Sequence, residues 1–184
     1  MKYFVTRVPL ANAINSIMAM SGADCYVDGR FRENRPFYQI ESAKFEKAVM
    51  KEQKIQDVEI YLPSFNELDY FEIGIAKDAV IQSPRPYTIA EPIVFYGSSI
   101  THGATASRPG INYVARVARA LDADFINLGF AGSAKGQLLM AEYISTLKMS
   151  AFVLDYDANS GFEELSERHM PFYETVRKPL FPLQ

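Results

Sequence analysis

The second half of the sequence alternates short apolar runs with longer segments of helical period. Three runs have the length and composition of strands that are buried on both faces: residues 93–96, 124–130 and 151–155. Each is followed by a segment in which apolar residues recur every three or four positions: residues 111–121, 134–147 and 160–177. Strands joined by helices through short loops predict a parallel, doubly wound α/β sheet with right-handed crossovers.

Each predicted helix has an apolar stripe that we expect to face the sheet. Pro109 and Gly110 mark the start of the first helix, and Ser160 with Glu163 forms a capping box that predicts the start of the third. The stripes are Val114, Val117, Ala118 and Leu121 in the first helix, Leu138, Met140, Ala141, Ile144 and Leu147 in the second, and Phe162, Leu165, Phe172 and Val176 in the third.

The first 82 residues have a β-like pattern instead. Asp28-Gly29 after a Tyr-Val pair is a strong hairpin signal. Residues 44–54 are charged and fit either a solvated strand-turn-strand or a helix. Further strands are predicted at residues 37–40, 57–62, 68–75 and 80–81. We therefore expect a small β-rich domain over residues 1–82, a proline-rich linker over 83–91 and an α/β domain over 92–184.

Composition excludes several classes of function. The 184 residues carry 19 Lys+Arg and 22 Asp+Glu, so no basic excess suggests nucleic acid as a partner. No apolar run approaches the ~20 residues of a membrane helix, and the first residues do not resemble a signal peptide. The single cysteine, Cys25, excludes an internal disulfide and a cysteine-built zinc site. These features favour a cytoplasmic location for the protein.

Polar residues follow each predicted strand of the second half. They form the segments 97–101, 127–132 and 155–159, and the carboxyl ends of parallel strands gather at one edge of a sheet. Together they offer the Ser99 hydroxyl, glycine N–H groups and the Asn159 amide, which suit acyl transfer. The hydroxyl-rich loop from Ser98 to Thr105 equally suits a phosphate, such as that of FMN in a flavodoxin-like protein. Asp155 and Asp157 alone are weak grounds for a metal site, and neither a metal nor a cofactor is expected.

These segments resemble the blocks of the SGNH (GDSL-like) hydrolases. GSSIT, starting at Gly97, is similar to the Gly-Asp-Ser-Leu block with Ser98 in place of Asp, and NLGFAG and DYDAN are similar to the second and third blocks. The resemblance implies that Ser99 is the nucleophile. It also implies that the Ser99 N–H, the Gly132 N–H and the Asn159 side chain form the oxyanion hole. The implied fold is part of a flavodoxin-like three-layer sheet.

Two further stretches resemble one subfamily of these enzymes. SRPG at residues 107–110 and GADCY at residues 22–26 are similar to a group in which a sandwich- or jelly-roll-like β domain with a Gly-x-Asp-Leu-Tyr motif precedes the hydrolase domain. Cys25 replaces the usual Leu, and the resemblance covers about residues 18–178. It implies a serine esterase acting on a small acyl ester, for example an acetylated carbohydrate.

Alternatives remain for the candidate site residues. Ser98, His102 and Arg108 are candidates for substrate contact, although Arg108 equally suits a salt bridge at the helix start. The alternatives are that Ser99 only satisfies backbone donors, that Asn159 caps the last helix with Ser160, and that the loop glycines serve geometry alone. The GADCY block is expected to organise the β domain, with an approach of Asp24 to the active-site cleft as the alternative.

One family block has no counterpart in the sequence. The Asp-x-x-His block, which supplies the general base, is absent, and His102 and His169 are the only histidines. His102 follows Ser99 by three residues, and this short separation disfavours the geometry that a base acting on the Ser99 hydroxyl needs. His169 is expected in a packed or surface role on the last helix. We expect the chain to be the middle of a longer enzyme, and its exposed third strand is expected to cause either self-association or reduced stability. A non-catalytic carbohydrate- or ester-binding fragment is therefore an alternative function.

Overall fold

The computed structural model forms two compact units. The residues that it describes are 2–5, 16–35, 45–48, 52, 54–66, 68 and 71–180. The first unit comprises Met1–Pro86 and Gly103–Arg119, and the second comprises Tyr87–His102 and Ala120–Gln184. Over the described ranges, no helix combines the length and apolarity that crossing a membrane requires.

The described residues of the first unit form two three-stranded antiparallel sheets. Its strands are β1 (Lys2–Val5), β2 (Ala23–Val27), β3 (Arg30–Arg35), β4 (Phe45–Ala48), β5 (Val58–Tyr61) and β6 (Ile73–Gly74). The strand orders are β4-β1-β6 and β3-β2-β5. A short helix, α1 (Ile17–Ser21), leads into β2. These sheets support the predicted β-rich N-terminal part.

The predicted hairpin between β2 and β3 is confirmed. Asp28 and Gly29 have φ values of 51° and 70°, so both adopt the left-handed conformation that a tight hairpin turn requires. β5 confirms the strand predicted at residues 57–62, and β4 supports the strand interpretation of residues 44–54.

Other strand predictions had different outcomes. The prediction for residues 37–40 lies outside the described residues. Within the described part of 68–75, only β6 is a strand. The prediction for residues 80–81 was wrong: Val80 and Ile81 are each 77% exposed, and neither is part of a strand. Two adjacent β-branched residues do not make a strand without a neighbouring strand and an apolar surface to pack on.

The second unit is built on a parallel sheet, as predicted. Its strands are β7 (Ile89–Gly97), β8 (Ala123–Gly129) and β9 (Ala151–Asp155), in the order β8-β7-β9. Gly97 lies opposite Gly129 on one side and Asp155 on the other, so all three strands end at one level. Among the described residues β9 pairs only with β7, and self-association through its outer edge stays a prediction.

β7 begins earlier than predicted, inside the proline-rich segment. Its register with β8 shifts between Ile89 and Ile93, around Pro92. Proline lacks the N–H that a strand ladder needs, so an irregularity at this position is expected. The Pro92 carbonyl still accepts a bond from the Ser150 N–H at 3.0 Å.

The remaining helices are α2 (Ser99–His102), α3 (Tyr113–Leu121), α4 (Leu138–Ser145) and α5 (Phe162–Leu180). Short 3-10 helices cover Pro109–Ile111 and Asp157–Asn159. The core of the second unit joins the sheet to α4 and α5 through Val94, Tyr96, Ala141, Ile144, Phe172 and Val176. The rings of Tyr96 and Phe172 stack with centroids 4.9 Å apart.

Four residues predicted to face inward are exposed instead: Leu138, Phe162, Leu121 and Val117. Leu138 and Phe162 are the first residues of their helices and Leu121 is the last of its helix. A helical period sets the direction of residues inside a helix better than that of terminal ones. In α3 the buried side is Val114, Ala115 and Ala118, so the stripe is rotated away from Val117.

The predicted capping box at the start of α5 was wrong by one residue. The Gly161 N–H donates to the Glu164 Oε2 atom at 3.3 Å, whereas Ser160 Oγ has no hydrogen-bond partner among the described residues. Glu164 therefore takes the position predicted for Glu163. This bond from the Gly161 backbone is the main cause that lowers the pKa of Glu164 below its ordinary value.

Asp24 explains why the segment from Gly103 to Arg119 belongs to the first unit. Its side chain is fully buried, and its Oδ2 atom accepts bonds from Arg108 Nη1 at 2.5 Å and from the Gly110 N–H at 2.9 Å. The Oδ1 atom accepts a bond from Asn34. A buried carboxylate requires such partners, because burial without them costs several kcal/mol. Asp24 thus joins β2 to Asn34 on β3 and to Arg108 and Gly110.

Aromatic rings complete this buried cluster. Arg108 Nη1 also donates to the Tyr26 hydroxyl at 2.8 Å, and the guanidinium carbon lies 3.7 Å from the centroid of the Phe31 ring. Arg119 lies over the Tyr26 ring at 4.4 Å. On the other side of β2, Cys25 packs in a small apolar core, and burial raises the pKa of its thiol.

Candidate active site at the strand ends

Hydrogen bonds join the loops that follow β7, β8 and β9. The Gly97 carbonyl, at the end of β7, accepts a bond from the Phe130 N–H at 2.9 Å. The Phe130 carbonyl accepts a bond from Asn159 Nδ2 at 3.2 Å. The Asp155 carbonyl, at the end of β9, accepts a bond from the Ser98 N–H at 2.9 Å. The three segments singled out in the sequence therefore form one connected structure.

The three hydroxyl side chains after β7 have different environments. Ser98 and Thr101 are fully buried. Ser98 Oγ accepts a bond from the Ile100 N–H at 3.2 Å, and Thr101 Oγ1 donates to Asp155 Oδ2 at 3.0 Å. Ser99, the first residue of α2, is only half-buried. Ser99 is thus the one of these three hydroxyl residues that solvent reaches.

Glycine is required where α2 packs on the strand ends. A Cβ atom on Gly129 would overlap the backbone of Thr101 and His102, and one on Gly97 would overlap the Thr101 side chain and the Asp155 carbonyl. The absence of side chains at these positions lets α2 pack directly over the ends of β7 and β8. Gly129 therefore serves the geometry of the site, one of the roles that the sequence left open.

Asn127 supports the same contact and was missed as a site residue. Its Nδ2 donates to the Thr101 carbonyl at 2.8 Å, and its Oδ1 accepts a bond from the Gly129 N–H at 2.9 Å. It thereby ties β8 to α2. A polar residue among the apolar positions 125–128, two positions before a glycine, was the available signal.

Gly132 lies in the turn after β8 with its N–H available. Its φ of +73° is in the left-handed region that favours glycine, and the residue is exposed. The Phe130 carbonyl accepts bonds from the Ser133 and Ala134 N–H groups at 3.0 and 3.1 Å, which closes the turn. No bond between described residues engages the Gly132 N–H, so it remains open to a ligand.

Asn159 lies in the 3-10 helix after β9 and does not cap α5. Its side chain reaches the Phe130 carbonyl, whereas Gly161 and Glu164 make the bond at the start of α5. Because a side-chain amide has two N–H groups, one remains beyond the bond to Phe130. The capping role that the sequence left open is not observed.

The two histidines lie on different helices, α2 and α5. His102 ends α2, with its N–H bonded to the Ser98 carbonyl at 3.0 Å. His169 is exposed on α5, as one of the predicted roles requires, and its ring stacks on Tyr156 with centroids 5.9 Å apart. Tyr156 directly follows β9, so His169 is less remote from the strand ends than the sequence suggested.

Arg108 and Ser98 have structural partners. Arg108 forms its ion pair with Asp24 inside the first unit, which is the salt-bridge role that the sequence left open. Ser98 is buried in the second unit. Substrate contact by Ser98, His102 and Arg108 stays a prediction. Among the residues that the structure describes, no group of three or more His, Cys, Asp or Glu side chains is arranged to hold a metal ion.

Comparisons with known proteins identify similar chains. The model of the GDSL-like Lipase/Acylhydrolase family matches residues 90–182. A structure described as a GDSL-like lipase from Bacteroides ovatus ATCC 8483 is 32% identical, with a TM-score of 0.84, and the match covers 97% of this chain and 53% of that one. No curated protein matches the sequence.

Two less similar structures share the fold alone. The salicylyl-acyltransferase SsfX3 of a tetracycline biosynthetic pathway is 21% identical, with a TM-score of 0.72. The match covers 97% of this chain and 53% of the acyltransferase. A family two carbohydrate esterase from Clostridium thermocellum, solved with cellohexaose, is 15% identical, with a TM-score of 0.61. The match covers 97% of this chain and 64% of the esterase. The chain thus spans between half and two thirds of each similar structure.

Proposed function

The chain belongs to the GDSL-like lipase/acylhydrolase family, and from this we propose that it is a serine hydrolase acting on a small acyl ester, such as an acetylated carbohydrate. The observation that carries the proposal is the hydrogen-bonded junction of the three strand ends. It groups a solvent-accessible hydroxyl, Ser99, with two segments whose N–H donors, at Gly132 and Asn159, are open.

In this proposal Ser99 Oγ attacks the carbonyl carbon of the ester, and the carbonyl oxygen becomes an oxyanion. The N–H of Gly132 and the amide of Asn159 donate to that oxyanion. The Ser99 N–H joins them, because it lies in the first turn of α2, where backbone donors lack intrahelical partners. Collapse of the intermediate breaks the bond to the leaving alcohol. Water then hydrolyses the acyl-serine and releases the carboxylic acid.

The proton of Ser99 needs a base, and this step limits the proposed activity. The family's histidine block has no counterpart in the sequence, which contains only His102 and His169. An oxyanion hole and substrate binding without a complete triad can retain an acceleration of about 10³–10⁴ over water. We therefore expect slow turnover by this chain and an acyl-serine that persists long enough to be detected.

The buried hydroxyls argue against the phosphate-binding alternative. A phosphate cradle would present several donors of the loop to the ligand, but the Ser98 and Thr101 side chains are directed inward and bonded within the protein. Thr101 is also bonded to the carboxylate of Asp155, whose negative charge would oppose a phosphate nearby. This difference among neighbouring hydroxyls supports a nucleophile at Ser99.

Hydrolysis of p-nitrophenyl acetate tests the proposal. Ser99→Ala should abolish catalysed turnover and the acetylation of Ser99, which peptide mass spectrometry detects. Ser133→Ala, an exposed serine on the neighbouring turn, is the matched control and should retain wild-type rates. His102→Ala and His169→Ala identify any histidine that takes the proton. Release of acetate from an acetylated oligosaccharide tests the sugar class.

The rates of the wild type and of Ser99→Ala distinguish a hydrolase from an ester-binding protein. Equal rates in the wild type and Ser99→Ala would contradict a catalytic Ser99. Binding of the acetylated oligosaccharide by both proteins, without turnover by either, would favour the ester-binding alternative.

A further inference from the structure

Two buried tyrosines lie side by side in the second unit, but their hydroxyls differ. The rings of Tyr96 and Tyr156 have centroids 5.8 Å apart, and both residues are at most 1% exposed. The Tyr96 hydroxyl donates to Gln137 Oε1 at 3.1 Å and accepts a bond from the Gly136 N–H at 3.2 Å. The Tyr156 hydroxyl has no hydrogen-bond partner among the described residues. Only Tyr96 is bonded to the loop that follows β8.

Gln137 extends the contact of Tyr96 through that loop. Its Oε1 also accepts a bond from the Lys135 N–H at 3.2 Å, and its Nε2 donates to the Ser133 carbonyl at 3.0 Å. The Lys135 carbonyl in turn accepts a bond from Arg168 Nη1 at 3.2 Å. One buried hydroxyl and one side-chain amide therefore fix the backbone from residue 133 to residue 137.

The other end of the loop is fixed at Phe130. Its N–H is bonded to the Gly97 carbonyl, and its carbonyl accepts bonds from two N–H groups of the turn and from Asn159. Gly132 lies between these two anchored ends, exposed and in a left-handed conformation. The direction of its N–H thus depends on both anchors.

We propose that the Tyr96 hydroxyl is a positioning group that holds the loop after β8 so that the Gly132 N–H is aimed at the oxyanion. This inference rests on the proposed function. Oxyanion stabilisation depends on donors that are oriented before the reaction and need no reorganisation during it. Burial raises the pKa of Tyr96, so the hydroxyl keeps the proton that it donates to Gln137. Tyr96 touches no reacting atom and acts through Gln137 and Gly136.

Tyr96→Phe and Tyr156→Phe form a matched pair, since each removes one oxygen from neighbouring buried rings. The second-order rate of Ser99 labelling by a fluorophosphonate probe, which places an oxygen in the oxyanion hole, should fall about tenfold in Tyr96→Phe and stay within twofold in Tyr156→Phe. For p-nitrophenyl acetate, kcat should fall by the same factor with KM unchanged. Hydrogen exchange of residues 130–137 should accelerate in Tyr96→Phe and not in Tyr156→Phe.

Gln137→Met is the second variant, because Gln137 is exposed and its replacement should leave the core intact. It should reproduce the slower labelling and the faster exchange. Faster exchange with unchanged labelling and kcat would overturn the proposal and leave Tyr96 a purely structural role. Labelling that persists in Ser99→Ala, or that never occurs in the wild type, would instead refute the proposed function, and the role of Tyr96 with it.

Discussion

The polar cluster around Asp24 in the first unit and the strand-end loops of the second unit use polar groups in opposite ways. Asp24 is fully buried, and both of its carboxylate oxygens are bonded, to Arg108, Gly110 and Asn34. At the strand ends, by contrast, Ser99 is half-buried and Gly132 is exposed with an open N–H.

The polar groups that stabilise the fold are therefore different from those that we propose to take part in the reaction. A buried charge is tolerated only when its partners are present, and both oxygens of the Asp24 carboxylate are bonded within the protein. An exposed donor is hydrated in the free protein and costs little until a ligand takes the place of water. The proposed catalytic residues are therefore the ones that the fold leaves incompletely bonded, and the bonds around them orient them.

Arg108→Ala is expected to have the largest effect. It leaves the Asp24 carboxylate buried without its charged partner and should lower the free energy of unfolding by about 3–5 kcal/mol. Urea unfolding followed by circular dichroism measures the loss. Arg116→Ala removes the same charge from an exposed position of α3 and should change stability by at most about 0.5 kcal/mol. An unchanged unfolding free energy together with a raised KM would show that Arg108 contacts substrate instead.

Asn159→Ala tests the other side of the comparison. Loss of one oxyanion donor should lower kcat by about 10²–10³ with KM nearly unchanged. Because its bond to Phe130 is solvent-exposed, stability should change little. Steady-state kinetics with p-nitrophenyl acetate measure the effect. The neighbouring Ser160, whose hydroxyl lacks a partner among the described residues, provides the control: Ser160→Ala should keep the wild-type kcat. A kcat equal to that of the wild type in Asn159→Ala would exclude Asn159 from the oxyanion hole.

Gly129→Ala tests whether the strand-end loops depend on close packing. The added Cβ would overlap backbone atoms of Thr101 and His102, which cannot move aside as a side-chain tip can. We expect a loss of about 1–3 kcal/mol in the free energy of unfolding, measured by urea titration. A Cβ on Gly161 would meet no atom within 4 Å, so Gly161→Ala should cost at most about 1 kcal/mol. Equal losses in both variants would show that the packing of α2 is not tight.

Glu164→Gln should have the smallest effect, and one that depends on pH. The Gly161 N–H holds the pKa of Glu164 below its ordinary value, so the ionised carboxylate stabilises the folded state at neutral pH. That stabilisation is lost as the pH falls through the lowered pKa. The urea midpoint of Glu164→Gln should lie below that of the wild type at pH 7, and the gap should close as the pH falls below 4.5.

The adjacent, exposed Glu163 provides the control for this effect. Glu163→Gln should shift the midpoint less at pH 7 than Glu164→Gln does. A gap for Glu164→Gln that is constant from neutral to acidic pH would contradict the assignment of the cap.

The local patterns predicted much of the second unit because they report which side of a segment is buried. The runs at residues 93–96, 124–130 and 151–155 became β7, β8 and β9, and their loops meet at one edge as parallel strands require. The helical period does not determine the direction of terminal side chains or the cap of a helix. The inward direction predicted for Leu138 and Phe162 and the cap predicted for α5 were therefore wrong. There the outcome depends on which backbone donor a nearby side chain reaches.

The sequence by itself determined the parallel sheet, the order of the three strand-end segments and the resemblance that singles out Ser99, Gly132 and Asn159. Only the tertiary structure decided how polar residues divide between stability and the proposed chemistry. In the folded chain, Arg108 donates a hydrogen bond to Asp24, 84 positions away, and Tyr96 donates one to Gln137, 41 positions away. Spacing along the chain cannot predict such bonds, because they form only after folding brings distant segments together and buries groups that must then be paired.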